Sequence, residues 1–184
     1  MSGAPPSPEF SLELIALLPR LRRYARVLTG EPAGADDLVQ DTLERALERH
    51  RQWQPGTDLR AWLFSIMHNR RIDVVRRDRY TSLDDDAHAA QAEPASAGFD
   101  AFESIDLQRA FERLGDEHRE VLALVAIEQL SYEEAAGTLG VPIGTVMSRL
   151  SRARQRLRAL LDGEAAGRGP DRGAAAHHHL TRIK

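Results

Sequence analysis

From Leu14 onward, apolar residues recur every three or four positions: Leu14, Leu17, Leu18, Leu21, Ala25 and Leu28. That interval places one stripe along a helix, and Gly30 with Pro32 stops it. A second helix is predicted from near Ala33. Asp36 and Asp37 fall in its first turn, where the positive end of the helix dipole favours acids. Its apolar face is Leu38, Val39, Leu43, Ala46 and Leu47. Pro55-Gly56 breaks the chain again, and Thr57 or Asp58 can cap a third helix with the stripe Leu59, Trp62, Leu63, Ile66, Met67 and Val74. The pattern resumes at Leu107, Ala110, Phe111 and Leu114, then at Val121, Leu122, Leu124, Val125 and Ile127. Ser131 and Glu134 stand at capping-box spacing before Ala135, Ala136 and Leu139, and Gly140 is a natural left-handed cap. A long helix begins within residues 142–145 and carries Val146, Leu150, Ala153, Leu157, Leu160 and Leu161. No segment shows sustained strand alternation. The expected fold is all-α: two small helical domains joined by a flexible acidic linker.

Charge sets the boundaries. Over residues 78–104 a single basic residue, Arg79, faces Asp78, Asp84, Asp85, Asp86, Glu93, Asp100 and Glu103, whereas the flanking blocks are close to neutral. The stretch has little to bury and reads as a linker. The expected division is a disordered N-terminus at 1–9, a first domain at 10–80, the linker at 81–104, a second domain at 105–162 and a disordered tail at 163–184. The tail's three consecutive histidines read as tail composition, and no metal or cofactor is expected. Hydrophobic residues make up 42% of the 184 positions and charged residues 29%, as in a soluble globular protein. There is no cysteine, which excludes disulfides, thiolate metal sites and cysteine nucleophiles. No apolar run reaches the ~20 residues of a membrane span, and the N-terminus lacks the features of a secretory signal. The cytoplasm is the expected location.

Against a net charge of −3, the stretch from Gly140 to Leu161 contains arginines and no acid. A short helix, a glycine-containing turn and a long helix form the helix-turn-helix pattern, whose second helix enters the major groove. With the apolar stripe turned inward, Thr145, Met147, Ser148, Arg149, Ser151, Arg152, Arg154 and Arg156 are left for the outer face. Arginine suits phosphates and guanine edges, and small hydroxyls allow close approach. A merely solvated helix would interleave glutamates for i,i+4 pairs. The third helix places Trp62 and Phe64 ahead of His68, Asn69, Arg70, Arg71, Arg76, Arg77 and Arg79. Rings beside arginines suit melted DNA, although taken alone the two aromatics read rather as core and cover. The acidic helix of Asp36, Asp37 and Asp41 is a solvated face or a dock for a basic partner.

Taken in order, LLPRLRRYARVLTG, ADDLVQDTLERAL, LRAWLFSIMHNRRIDVVRR and SYEEAAGTLGVPIGTVMSRLSRARQRL resemble a sigma-70 family RNA polymerase sigma factor of the extracytoplasmic-function (ECF) class. The likeness covers roughly residues 10–80 and 105–161. It implies that Asp36, Asp37, Leu38, Val39, Gln40 and Asp41 lie on the helix that docks on the β′ clamp helices of core RNA polymerase. It implies that the segment with Trp62, His68, Asn69, Arg70, Arg71, Arg76 and Arg77 reads and opens the −10 element, Asn69 standing where a flipped-out base is held. It implies that Thr145, Ser148, Arg149, Ser151, Arg152, Arg154 and Arg156 read the −35 element, in a domain that meets the β flap. The expected partners are core polymerase, promoter DNA and an anti-sigma factor that responds to stress. No enzymatic activity and no membrane insertion are expected. Two departures stand out: Met147 replaces a commonly basic residue, and Gly115-Asp116 replaces a proline-containing turn. The alternatives are a stand-alone helix-turn-helix regulator, and a sigma mimic that titrates an anti-sigma factor.

Overall fold

The computed structural model describes residues 5–54, 56–81 and 105–167. Among them are seven α-helices and no strand: α1 (Pro8–Thr29), α2 (Pro32–Glu48), α3 (Leu59–Thr81), α4 (Ile105–Glu112), α5 (Asp116–Leu122), α6 (Tyr132–Leu139) and α7 (Ile143–Gly167). A 3-10 turn, His50–Gln52, follows α2, and a π-helical turn, Ala123–Ile127, extends α5. The acidic stretch 82–104 and the histidines of the tail lie outside the described residues.

Local chemistry fixes the helix ends. Ser7 accepts a 3.2 Å bond from the Phe10 amide and so caps α1. The first helix therefore starts inside the segment expected to be disordered, and Phe10 is buried in the core. Gly30 closes α1 at φ 76°, a left-handed conformation that costs glycine no Cβ clash. Because α2 opens at Pro32, Asp36 and Asp37 sit past its first turn, which holds no acid, contrary to the expectation from the dipole. Asp58 caps α3: its Oδ1 accepts from the amides of Arg60 at 2.8 Å and Ala61 at 3.3 Å. The capping box of α6 is complete, with Ser131 N donating to Glu134 Oε2 at 2.7 Å and Glu134 N donating to Ser131 Oγ at 3.1 Å. At its far end α7 runs on to Gly167, five residues past the expected domain boundary at 162.

Helices α1, α2 and α3 pack pairwise, and α7 lies across α4, α5 and α6. Most stripe residues turn inward as their spacing requires. Leu47 is the exception, 44% exposed at the end of α2. Two residues outside the expected stripes hold the first half together: Tyr24 and Phe64 are fully buried with ring centroids 4.8 Å apart, within the range of favourable aromatic pairs.

The two halves also pack on each other. α3 meets α6, and α1 meets α5 and the π turn, so buried residues of both halves form one continuous core. The π turn shapes this junction. Glu128 N reaches back to Ala123 O at 2.8 Å, and Gln129 is left at φ 59°, uncommon for a residue other than glycine. This reversal buries Glu128 completely.

Candidate nucleic-acid interface

On α3 the core side is Leu59, Leu63, Phe64, Ile66 and Met67, all buried. The expected DNA-reading residues divide among three surroundings. Asn69, Arg76 and Arg77 are exposed. Arg70 and Arg71 are half-buried and occupied: Arg70 pairs with Asp41 of α2, and Arg71 Nε donates to the Leu28 carbonyl at 3.1 Å. Trp62 is half-buried, its ring 6.4 Å from that of Phe10 at 69°. It serves first as a cover for the core.

On α2 the expected docking residues split by helical geometry. Asp36, Asp37 and Gln40 are exposed, whereas Leu38 and Val39 turn inward and belong to the core. The Leu38 and Val39 side chains therefore hold the helix in place and offer no outer surface. The Asp41–Arg70 pair joins the acidic face of α2 to the basic face of α3, so the two faces lie side by side.

On α7, Val146, Leu150, Ala153 and Leu160 are buried. Ser148, Ser151, Arg152, Arg154 and Arg156 are exposed, and Thr145 is half-buried. Arg149 is drawn sideways: its Nη2 donates to Glu117 Oε1 of α5 at 2.8 Å. Arg152 and Arg156 line a groove with Arg113 and His118 on the flank facing α4 and α5.

The side chain the sequence did not connect to anything is Glu128. Arg23 Nε lies 2.7 Å from its Oε1, and Arg20 Nε lies 3.7 Å from Oε2, which has no hydrogen bond. Arg60 Nη1 donates to the Glu128 carbonyl at 2.8 Å. A carboxylate taken wholly out of water must be paired in this way. A second junction lies nearby. Glu120 Oε1 accepts from Tyr24 OH at 2.8 Å and lies 2.5 Å from His68 Nδ1. Burial and the neighbouring charge of Glu120 push the Tyr24 phenol well above its ordinary range, so it remains a donor. A cleft of about 240 Å³ beside this junction is lined by Val27, Leu28, His68, Arg71, Asp116 and Glu120, among others. In this arrangement acids of α5 face the basic side of α3. The only advance signal of the junction was an acid, Glu128, ending the apolar run VLALVAI.

Two family models match in sequence: the Sigma2 domain of PhyR over residues 14–68, and sigma-70 region 4 over residues 104–157. The chain is 41% identical over 164 residues to the ECF RNA polymerase sigma factor EcfG of Rhodopseudomonas palustris, covering 86% of this chain and 89% of that protein. It superposes on the sigma factor RpoE of Bartonella quintana, solved in complex with the anti-sigma factor NepR, with a TM-score of 0.74. That pair is 35% identical and covers 85% of this chain and 98% of the other. The PhyRSL–NepR complex of Sphingomonas sp. Fr1 is similar at a TM-score of 0.61 and 26% identity, covering 92% and 98%. Among the described residues, no helix is long and apolar enough to cross a membrane.

Proposed function

Because the chain belongs to the ECF class of RNA polymerase sigma factors, we propose that α2 docks on core polymerase, α3 reads and opens the −10 element, and α7 reads the −35 element. The observation that carries this assignment is α7 itself. Its stripe of Val146, Leu150, Ala153 and Leu160 is buried, its serines and every arginine from Arg152 to Arg158 are exposed, and no acid occurs from Gly140 to Leu161. Serines allow close approach to the groove, and arginines meet phosphates and guanine edges.

The −10 role falls to Asn69 with Arg76 and Arg77, which are among the exposed polar residues of α3. Extruding a base costs a few kcal/mol, so a fitted polar pocket at the point of melting converts that cost into sequence preference. Asp36, Asp37 and Gln40 supply the exposed surface for core polymerase, and Asp41 holds Arg70 beside it. His68 is engaged by Glu120 when the halves are packed together. Full use of the α3 face therefore requires α5 to move away from it. Core polymerase, which must hold two promoter elements on separate stretches of DNA, provides a reason for the halves to part. The protein acts through polymerase in the cytoplasm and has no reaction of its own. An anti-sigma partner of the NepR kind follows from the likeness to RpoE.

A second reading is favoured by one observation. Residues 14–68 match a domain of PhyR, a protein described as an anti-anti-sigma factor. A mimic of that kind would bind an anti-sigma protein without directing transcription. The arginines of α7 favour the sigma reading, since a mimic has no need of them. The combined substitution Asp36→Lys and Asp37→Lys tests the assignment of α2. It is expected to abolish comigration with core polymerase while the variant still binds the wild type's anti-sigma partner. Unchanged comigration would remove α2 from the core-docking role.

A further inference from the structure

Two apolar side chains remain exposed on the basic helix. Ile143 is 40% exposed and Met147 53%. Four residues apart, they share one flank of α7, and Arg154 and Arg158, both exposed, continue the same flank at helical spacing. Gly144 and Ser148 sit next to the pair, on the outermost face. A Cβ built at Gly144 would meet nothing within 4 Å, so the protein itself does not require a glycine there. The surface thus combines an apolar patch and a bare backbone at the start of the helix with cations further along.

An apolar pair this exposed loses free energy in water, so its natural occupant is an apolar group embedded in an anionic surface. The C5-methyl of thymine, on the floor of the major groove and flanked by phosphates, fits that description. A protein partner would bring acids to meet the arginines, but it would not need the missing side chain at residue 144. Resting on the assignment of α7 to the −35 element, we infer that Met147, supported by Ile143, is a specificity-determining residue that reads a thymine methyl there. Gly144 lets the base-pair edge approach the backbone.

Deoxyuridine isolates the methyl group, because it pairs as thymidine does but lacks C5-CH₃. The holoenzyme, reconstituted from full-length protein and core polymerase, selects its preferred −35 sequence from a randomised duplex pool. Each selected thymidine is then replaced in turn by deoxyuridine. At one position the replacement is expected to weaken wild-type binding about three- to fivefold, the effect of one buried methyl. Met147→Ala is expected to bind both duplexes equally and to keep the wild-type salt dependence. Gly144→Ala is expected to weaken both. If deoxyuridine has no effect at any position, or if Met147→Ala keeps the discrimination, the inference is wrong. If Met147→Ala instead weakens assembly with core polymerase, the pair is a protein contact and the inference fails. A wild-type holoenzyme that forms normally yet selects no −35 sequence would overturn the assignment of α7, and the inference with it.

Discussion

Tyr24 and Glu120, 96 residues apart, are joined by a 2.8 Å hydrogen bond that ties α1 to α5. His68 reaches the same carboxylate oxygen from α3. One acid of the second half thus binds two helices of the first, and one of its partners lies on the proposed −10 face. The neighbouring Glu128 does the same with Arg20, Arg23 and Arg60. Beside the shared apolar core, the junction thus carries ion pairs and hydrogen bonds, groups that water or another charged surface can satisfy when the halves part.

Removing one member of a buried ion pair leaves the others uncompensated. The arginines left behind are partly exposed, at 34% for Arg20 and 30% for Arg23, so Glu128→Ala is expected to destabilise the packed form by about 1.5–3 kcal/mol. Tyr24→Phe, which keeps the ring against Phe64, is expected to cost about 1.5–3 kcal/mol. Denaturant unfolding gives the order of the two. Small-angle scattering should show a larger radius for Glu128→Ala. An unchanged radius and midpoint would mean that the junction does not hold the halves.

Asn69 is exposed on α3 and is not needed for its packing. Asn69→Ala should shift −10 preference in a promoter library while holoenzyme forms as before. Equal loss of core binding would refute its role as a base reader.

Arg149 and Arg154 separate a held arginine from an outward one. Arg149 is committed to Glu117, whereas Arg154 is exposed on the outer flank. If Arg154 meets a phosphate, Arg154→Ala lowers the slope of log affinity against log salt by about 0.9. Arg149→Ala should change the slope less. The reverse order would show that the Glu117 contact is given up on DNA.

Acid should loosen the start of α3. Burial alone would raise the Asp58 carboxyl, but its hydrogen bond to Arg60, the Arg60 charge and the two amide bonds outweigh it and hold the carboxyl below its ordinary 3.8. A depressed carboxylate stabilises the fold above its unfolded value. That contribution is lost as pH falls through 3.8 toward the lower folded value. Asp58→Asn should therefore be less stable at neutral pH and show a flatter acid limb in thermal melts between pH 5 and 3. Parallel limbs for both proteins would contradict the capping account.

The helices were legible because their signals are local. The capping box at Ser131 and Glu134, the left-handed glycines Gly30 and Gly140, and the stripe from Val146 to Leu160 each depend on neighbours within a few residues. Leu47 was misjudged because periodicity marks a face without saying whether anything covers it. Ser7 was missed because one serine before a proline is a weak start signal until Phe10 is known to be buried. The junction was illegible for a stronger reason. Glu120 and Glu128 meet partners 52 to 105 residues away, and no local pattern records such a pairing. For the same reason the outer residues of α7 could be named from sequence, but the capture of Arg149 by Glu117 could not.

The most direct measurement is run-off transcription by purified core polymerase with this protein on a library of genomic fragments. The sigma-factor account predicts transcripts that depend on the protein and start downstream of a shared pair of −10 and −35 sequences. It also predicts that Asn69→Ala alters the choice of −10 sequence and that Met147→Ala alters the choice of −35 sequence. Transcription no greater than with core polymerase alone, from a protein that still binds an anti-sigma partner, would contradict it and leave the mimic reading in its place.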